Sequence, residues 1–560
     1  MRITDTSDLW YKNAVIYCLD VETFFDSDGD GVGDLEGLAQ RVDYLAEIGV
    51  TCLWLMPFYP SPNLDDGYDV ADFFGVETRF GDHGDLVELI RTAKDRGMRV
   101  IADLLVNHTS DQHPWFVESR KSKDNPYRDF YVWRSDPPPD TSAEVVFPDQ
   151  EDSIWEKDKA TGEWYLHHFY KHQPDLNIAN PIVQDAIAKV MGFWLELGLD
   201  GFRVDAVPFF LNDLGMSDRD KKDFSEPHEY LRSLRQFLQR RSGDGILLGE
   251  VNVPFKDQVE FFGGTDGDEL TMMFDFVGMQ AIYLSLARHD ARPLAKALTD
   301  RPVDKISPDS QYANFLRNHD ELTLDKLSET ERQEVFAAFG PEPEMQLYGR
   351  GLKRRVPPML GGDPRRIKMA YSLLFALPGT PVLFYGEEIG MGENLDRPGR
   401  LAVRTPMQWA NDPTGGFSTA DPADLIAPVV SGSYGPEHVN VADARRDPES
   451  LLTHVSAMAR RYRECPELGW GTYEVLDQPH TSVLAHRTSW DTASMVLLHN
   501  FGPDALTVPL TLDEEPGTEL VDLLQEGVCT VGEDGRLELA LDGYGYRWLR
   551  VQHPGERRLV

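Results

Sequence analysis

The sequence predicts an α/β fold: a (β/α)8 TIM barrel with an inserted subdomain after strand 3, followed by a C-terminal antiparallel β-sandwich domain. Three observations predict it. Short apolar runs alternate with amphipathic stretches from about residue 14 to about residue 390, the rhythm of a parallel sheet whose strands are joined by helices. The alternation breaks twice, over 107–177 and over 321–365. From about Gly469 it gives way to short strands of period two.

The strands expected for the barrel are 14–18, 51–56, 100–106, 201–206, 246–250, 272–276, 314–318 and 382–385. Segments 35–48, 84–96 and 183–197 carry apolar residues at helical spacing between them. The stretch 107–177 is rich in Pro, Asp, Trp and Tyr and has no helical period. Long excursions of this kind in a compact domain are usually functional, so it reads as a subdomain over the active face. The stretch 321–365 is charged and helical in character, with Ser328 and Glu331 spaced as a capping box and Gly340 near a stop, and reads as a lid. Strands expected beyond Gly469 include 482–488, 495–501, 506–512, 536–541 and 546–551. The implied division is 1–106 with 178–468 for the barrel, 107–177 for the insertion and 469–560 for the C-terminal domain.

At 560 residues the chain exceeds what one core organises. A formal charge of -39 argues against nucleic acid or an anionic membrane as partner, because both bind through clustered Lys and Arg. The first residues lack the apolar core of a signal peptide, and no later run approaches a membrane span. The expected location is cytoplasmic. Cys18, Cys52, Cys465 and Cys529 are widely scattered, as buried free thiols are.

The polar clusters fall at expected strand ends, which in a barrel of this kind is where chemistry sits. Arg203 and Asp205 are two residues apart on a strand, so they point the same way, and an Arg beside an Asp favours the ionised carboxylate a nucleophile needs. The third strand ends in Asp103-Leu-Leu-Val-Asn-His108, the fifth in Glu250 and the seventh in Asn318-His319-Asp320-Glu321. Two carboxylic groups about 5 to 5.5 Å apart are what retaining glycoside hydrolysis requires. Glu250 ends an apolar strand, and partial burial raises a Glu pKa, which suits it to the acid's part; Asp205 suits the nucleophile's. Separately, Asp26-Ser-Asp-Gly-Asp-Gly-Val-Gly-Asp34 places aspartates at alternate positions with turn-making glycines, a wrapping for a hard cation such as Ca²⁺ or Mg²⁺. It is not an EF-hand, since Gly37 stands where that loop needs Glu.

These motifs together resemble glycoside hydrolase family 13, the α-amylase superfamily. The matching segments are Asp103–His108, Gly201–Asp205, the Glu250 strand end and Arg317-Asn-His-Asp320, in the family's order. The resemblance implies a β-glucosyl-enzyme formed on Asp205, Glu250 as general acid and base, and Asp320 as the carboxylate that holds sugar hydroxyls and stabilises the transition state. It implies that His108 and His319 hydrogen-bond the glucose and that Arg203 orients the nucleophile. Gln173-Pro-Asp-Leu-Asn177, Asp65-Asp-Gly-Tyr-Asp69 and Arg404-Thr-Pro-Met-Gln-Trp409 are similar to the branch that holds oligo-1,6-glucosidases and trehalose synthases. There an Asp–Arg pair closes the pocket behind the non-reducing glucose; Asp65 and Arg404 match it, and Tyr68 would stack on the sugar.

Segments 108–116, 317–323 and 386–392 look like the trehalose synthases of that branch, which rearrange maltose and trehalose. Val251-Asn-Val-Pro254 departs from their usual Ala-Asn followed by Trp and Pro, where the leaving sugar must turn. The expected partners are therefore small α-linked glucosides such as maltose or trehalose. The expected activity is their interconversion with some hydrolysis, with an exo-acting, hydrolytic or transglycosylating α-glucosidase as the alternative and a non-catalytic carbohydrate-binding relative as a remote one. The resemblance also implies a structural Ca²⁺ held by Asp26, Asp28, Asp30 and Asp34 with the Val32 carbonyl.

Overall fold

The strand that carries Arg203 shows how the sequence builds the barrel. Gly201 opens it with φ +148°, and a Cβ there would come within 2.3 Å of the Ile246 carbonyl oxygen, so glycine lets two backbones approach where no other residue fits. The computed structural model describes residues 7–211 and 226–553; the outer ends of the expected barrel and C-terminal domain, 1–6 and 554–560, lie outside them.

Eight parallel strands close the barrel. In chain order they are β1 (Ile16–Leu19), β2 (Cys52–Leu55), β3 (Arg99–Leu104), β7 (Gly201–Val204), β8 (Ile246–Gly249), β9 (Met272–Phe274), β10 (Gln311–Phe315) and β14 (Thr380–Phe384). Every neighbouring pair is parallel. Helices such as Leu35–Glu47, His83–Asp95 and Pro181–Leu197 pack outside, each started by a side-chain cap from Asp34, Asp82 or Asn180. Apart from β1, which runs on to Leu19, the strands end earlier than expected on their C-terminal side. β10 ends at Phe315 rather than 318, and β3 at Leu104 rather than 106. His108, Asp205, Glu250 and Asp320 thus sit just beyond the ladder, on the rim, while Asp103 and Arg203 stay within it.

Between β3 and β7 the chain forms a three-stranded antiparallel sheet of β4 (Trp133–Arg134), β5 (Trp155–Lys157) and β6 (Trp164–Leu166), around a small core of Val132, Ile154, Trp155 and Leu166. Bridges His108–Asp175 and Tyr131–Leu176 draw its two ends together. Beyond β10, β11 (Leu322–Thr323), β12 (Gln346–Leu347) and β13 (Gly351–Leu352) make a second small sheet, with helix Glu329–Phe339 started by the Ser328–Glu331 capping box and stopped at Gly340.

The C-terminal part has a six-stranded antiparallel sheet made of β15 (Thr472–Val475), β16 (Val483–Trp490), β17 (Ala493–Asn500), β22 (Tyr546–Gln552), β19 (Glu519–Asp522) and β20 (Val528–Thr530). A two-stranded sheet of β18 (Leu506–Thr511) and β21 (Arg536–Leu541) shares a separate apolar core with it. Fully buried Trp548 joins this unit to the barrel through its indole N–H to the Ser372 hydroxyl, 3.1 Å. Among the described residues, no helix is long and apolar enough to cross a membrane.

Candidate active site

Strand register brings the catalytic candidates together. Asp103 on β3 pairs across from Arg203 on β7, and Val204 from Gly249 on β8, so Asp205 and Glu250 leave adjacent strands side by side. Arg203, 1% exposed, then holds three carboxylates. Its Nη1 lies 2.5 Å from both Asp103 and Asp205, and its Nη2 2.8 Å from Glu250 Oε2. Ala206 follows Asp205 with φ +52°, a left-handed turn uncommon outside glycine, and donates its N–H to Glu250 Oε2 at 3.1 Å. The two terminal nitrogens of one guanidinium thus set the spacing of Asp205 and Glu250.

Burial and charge act in opposition here. Burial pushes Glu250 up to about 7, Arg203 pulling it down and Asp205 pushing it further up. Burial also raises Asp205 to about 6 despite Arg203, so the expectation that the guanidinium would lower this carboxyl is corrected: desolvation outweighs it. Asp103, accepting from the Trp54 indole at 2.8 Å, is raised to about 6 for the same reason. Asp320 goes the other way. Burial raises it too, but His319, Arg400 and Arg404 together hold it well below the usual carboxylate range. Burial lowers His319 to about 4 and lowers His108 also, leaving both rings neutral near pH 7.

A cavity of about 430 Å³ opens over these groups, within the range of small-ligand sites. Asp65, Tyr68, His108, Asp205, Glu250 and Asp320 line it, while Arg203, His319 and Arg404 stand behind the lining. Tyr68 is stacked against His319, ring centroids 5.4 Å apart and 10° from parallel, and its hydroxyl is 2.7 Å from His319 Nε2. His319 therefore meets Tyr68 and Asp320 rather than the open cavity. His108 Nε2 lies 3.1 Å from the Tyr68 carbonyl.

The expected Asp65–Arg404 pair is not the one that forms. Asp65 is held by Arg400 at 2.5 Å and by the Gln173 amide at 2.9 Å. Arg404 pairs with Asp66 at 2.6 Å and with Asp320 at 3.1 Å, and Arg400 reaches Asp320 at 2.6 Å. An unbroken chain Asp65–Arg400–Asp320–Arg404–Asp66 runs along the cavity wall, the first three residues lining it and Arg404 and Asp66 behind them. Sequence reasoning missed Arg400, which stands four residues before Arg404 and outside the segment 404–409 that was singled out.

In the aspartate loop, the oxygens of Asp26, Asp28 and Asp34 lie within 4.8 Å of one another. Asp30 is outside that group, its carboxylate accepting the Val32 N–H at 2.8 Å. Gly29 and Gly31 take φ +84° and +92° there, which lets the loop amides turn inward onto Asp26 at 2.7 and 2.8 Å. The donor set is all oxygen and suits a hard cation.

The catalytic domain of the α-amylase family matches residues 19–336 and 353–471, and a sucrose hydrolase-like C-terminal domain matches 493–550. The chain is 39% identical to the trehalose synthase/amylase TreS of Mycobacterium tuberculosis, over 98% of this chain and 93% of that protein. It is 30% identical to the oligo-1,6-glucosidase of Halalkalibacterium halodurans, over 88% of this chain and 91% of that one. Among solved structures, the trehalulose synthase MutB of Pseudomonas mesoacidophila aligns over 97% of this chain and 99% of its own with a TM-score of 0.76 at 26% identity.

Replacing Arg203 by Met should strand three buried carboxyls without a counter-charge and cost about 3–5 kcal/mol of stability. Carboxyls whose folded pKa lies above the unfolded value are tolerated protonated and lose stability as pH rises through the folded value. The loss relative to wild type, read from denaturant midpoints, should therefore be larger at pH 8 than at pH 5. Equal losses at both would contradict the charge account.

Proposed function

The chain belongs to the α-amylase family of glycoside hydrolases, and on that premise we propose that it interconverts small α-glucosides of the maltose and trehalose type by double displacement. The observation that carries the reading is one buried guanidinium spacing two carboxyls, Asp205 and Glu250, both raised by burial, on a cavity that Asp65, Arg400 and Asp320 also line. In this reading Asp205 attacks the anomeric carbon, and Glu250, protonated, gives its proton to the departing oxygen. The same Glu250 then takes a proton from whichever hydroxyl attacks the glucosyl-enzyme, so the configuration is retained. Asp320, held ionised by its arginines, faces the developing positive charge at the sugar ring.

Asp65 with Arg400 forms the end wall behind the non-reducing glucose, which supports exo action on short substrates. His108 and Tyr68 face the sugar, while His319 positions Asp320 and Tyr68 from behind. The insertion 107–177 and the excursion 321–365 are read as the two covers of the site. Higher identity to trehalose synthase than to oligo-1,6-glucosidase, 39% against 30%, favours retention of the released glucose over its loss. The segment Val251–Pro254, beside the acid, is the feature that favours a hydrolytic α-glucosidase instead. A cytoplasmic place of action is supported by four free thiols, three of them buried.

For the aspartate loop we propose a structural Ca²⁺, with Mg²⁺ as the alternative, held by Asp26, Asp28 and Asp34; Asp30 and the Val32 carbonyl would complete the shell. Such an ion would pin the loop after β1 and take no part in the chemistry.

With maltose as substrate and labelled free glucose in the medium, intramolecular rearrangement should give trehalose nearly free of label. Glucose as sole product would make the protein an α-glucosidase, and label in the disaccharide would make it an open transglycosylase. The rate should also trace a bell against pH. Activity should fall below about 6 as Asp205 takes up a proton and above about 7 as Glu250 loses one, both values belonging to the coupled pair. Glu250→Gln should abolish the alkaline limb on activated aryl glucosides; its persistence would remove Glu250 from the acid's role. Chelation should lower the melting temperature while turnover below the transition persists, with recovery on adding Ca²⁺. A melting curve indifferent to chelator would remove the ion from the account.

A further inference from the structure

Two segments far apart in the chain meet over the mouth of the pocket. Val146 and Phe147 come from the insertion, and Tyr348, Gly349 and Arg350 form the turn between β12 and β13. The turn is tight: Tyr348 and Gly349 both take left-handed φ values, +55° and +64°. Its product is the placement of Arg350, whose Nη1 donates to the Val146 carbonyl at 2.8 Å while Nη2 meets Glu321 Oε1 at 3.1 Å. Glu321 follows Asp320 directly, so one guanidinium joins the insertion to the residue next to the catalytic rim. A second line of contacts runs parallel. Tyr348 packs on Phe147 at 5.1 Å, Phe147 stacks on Tyr170 at 4.5 Å, and the Arg400 guanidinium lies 5.0 Å from the Phe147 ring. Arg400 is the group that holds both Asp65 and Asp320.

We infer that Arg350 is a specificity-determining residue: it fastens the insertion to the excursion across the pocket and thereby sets how the glucosyl-enzyme divides between a sugar acceptor and water. The inference rests on the double-displacement reading above. In the second step an incoming hydroxyl oxygen bonds to the anomeric carbon, the bond to Asp205 breaks with its electron pair returning to the carboxylate, and the incoming proton goes to Glu250. Water and a sugar hydroxyl satisfy that balance equally. Discrimination must come from which of the two is present, hence from closure of the mouth. Val146, Glu321 and Arg350 all line the cavity, so the bond that joins the covers is also part of its wall. A charge-assisted bond to a backbone carbonyl and a second to a carboxylate are directional, and a lysine can satisfy one of them but not both in the same geometry.

The test compares the wild type with Arg350→Ala and Arg350→Lys on maltose, measuring at initial rate the ratio of new disaccharide formed to maltose hydrolysed. This ratio is independent of the fraction of enzyme that is folded, so a merely structural role would leave it unmoved. It should fall on the order of tenfold in Arg350→Ala, the effect of about one lost hydrogen bond, and by an intermediate amount in Arg350→Lys. Hydrogen exchange reads the fastening itself. The amides of Glu144, Gln150 and Glu151, bonded to Thr141 and Phe147 carbonyls within the insertion, should exchange faster in Arg350→Ala. An unchanged ratio in both variants overturns the inference, whatever happens to total turnover, and unchanged exchange at those amides overturns the fastening. A wild type that yields only glucose would strike the transfer reading instead, and the exchange measurement still decides the fastening.

Discussion

One buried guanidinium organises the site. Arg203 has no solvent to share its charge with, so its charge is met by carboxylates, and Asp103, Asp205 and Glu250 arrive from three adjacent strands to meet it. Parallel register decides which residues those are, and register in turn depends on the close approach at Gly201 that lets β7 sit against β8. The barrel is therefore more than a scaffold on which the site is hung. A slip of one residue at β7 would turn Arg203 away from Asp103 and bring an apolar neighbour in its place. The Trp54 indole on β2 bonds the far oxygen of Asp103, extending the constraint to a fourth strand.

The second cluster, Asp65–Arg400–Asp320–Arg404–Asp66, solves the opposite problem. Arg203 faces more negative charge than it can neutralise, whereas Asp320 meets two guanidinium groups, each shared with one further aspartate. The same residue type, buried in the same cavity, is thereby driven in opposite directions: Asp205 toward the neutral form and Asp320 toward the ionised one. What separates the two is the set of partners each meets: His319 and two arginines at Asp320, one arginine shared among three carboxyls at Asp205.

Much of this was legible in the sequence, because strand ends in a barrel announce themselves by polar residues that follow apolar runs, and Asp205, Glu250 and Asp320 each did so. The pairing behind the pocket was not legible. Two adjacent aspartates and two arginines four residues apart allow several pairings, and the choice rests on the backbone: Asp66 adopts φ +53°, so the two neighbouring carboxylates diverge, one to Arg400 and the other to Arg404. The sign of the Asp205 shift was also hidden, since an Arg two residues away is visible in sequence but complete desolvation is a property of the closed rim. Asp30 looked like its neighbours at alternate positions, yet its carboxylate turns to the Val32 amide and stands apart from the oxygens of Asp26, Asp28 and Asp34, a local turn that composition does not reveal.

The shortage of positive charge around Arg203 has a chemical consequence. Three carboxylates facing one guanidinium in a sheltered pocket are all driven toward the neutral form, so the cluster gives up its protons later than free carboxyls would. Of the three, Glu250 is pushed highest, to about 7, while Asp103 and Asp205 stand near 6. These values belong to the coupled cluster, which holds on to protons toward neutrality; in the proposed double displacement the proton is Glu250's, and its presence there relieves the repulsion that Asp205 would otherwise meet. On the proposed double displacement, the charge imbalance that makes the cluster costly to bury is also what keeps Glu250 loaded as donor beside an ionised Asp205. A second cation in this cluster would lower the carboxyl pKa values and empty the proposed donor, which ties the imbalance to the proposed chemistry.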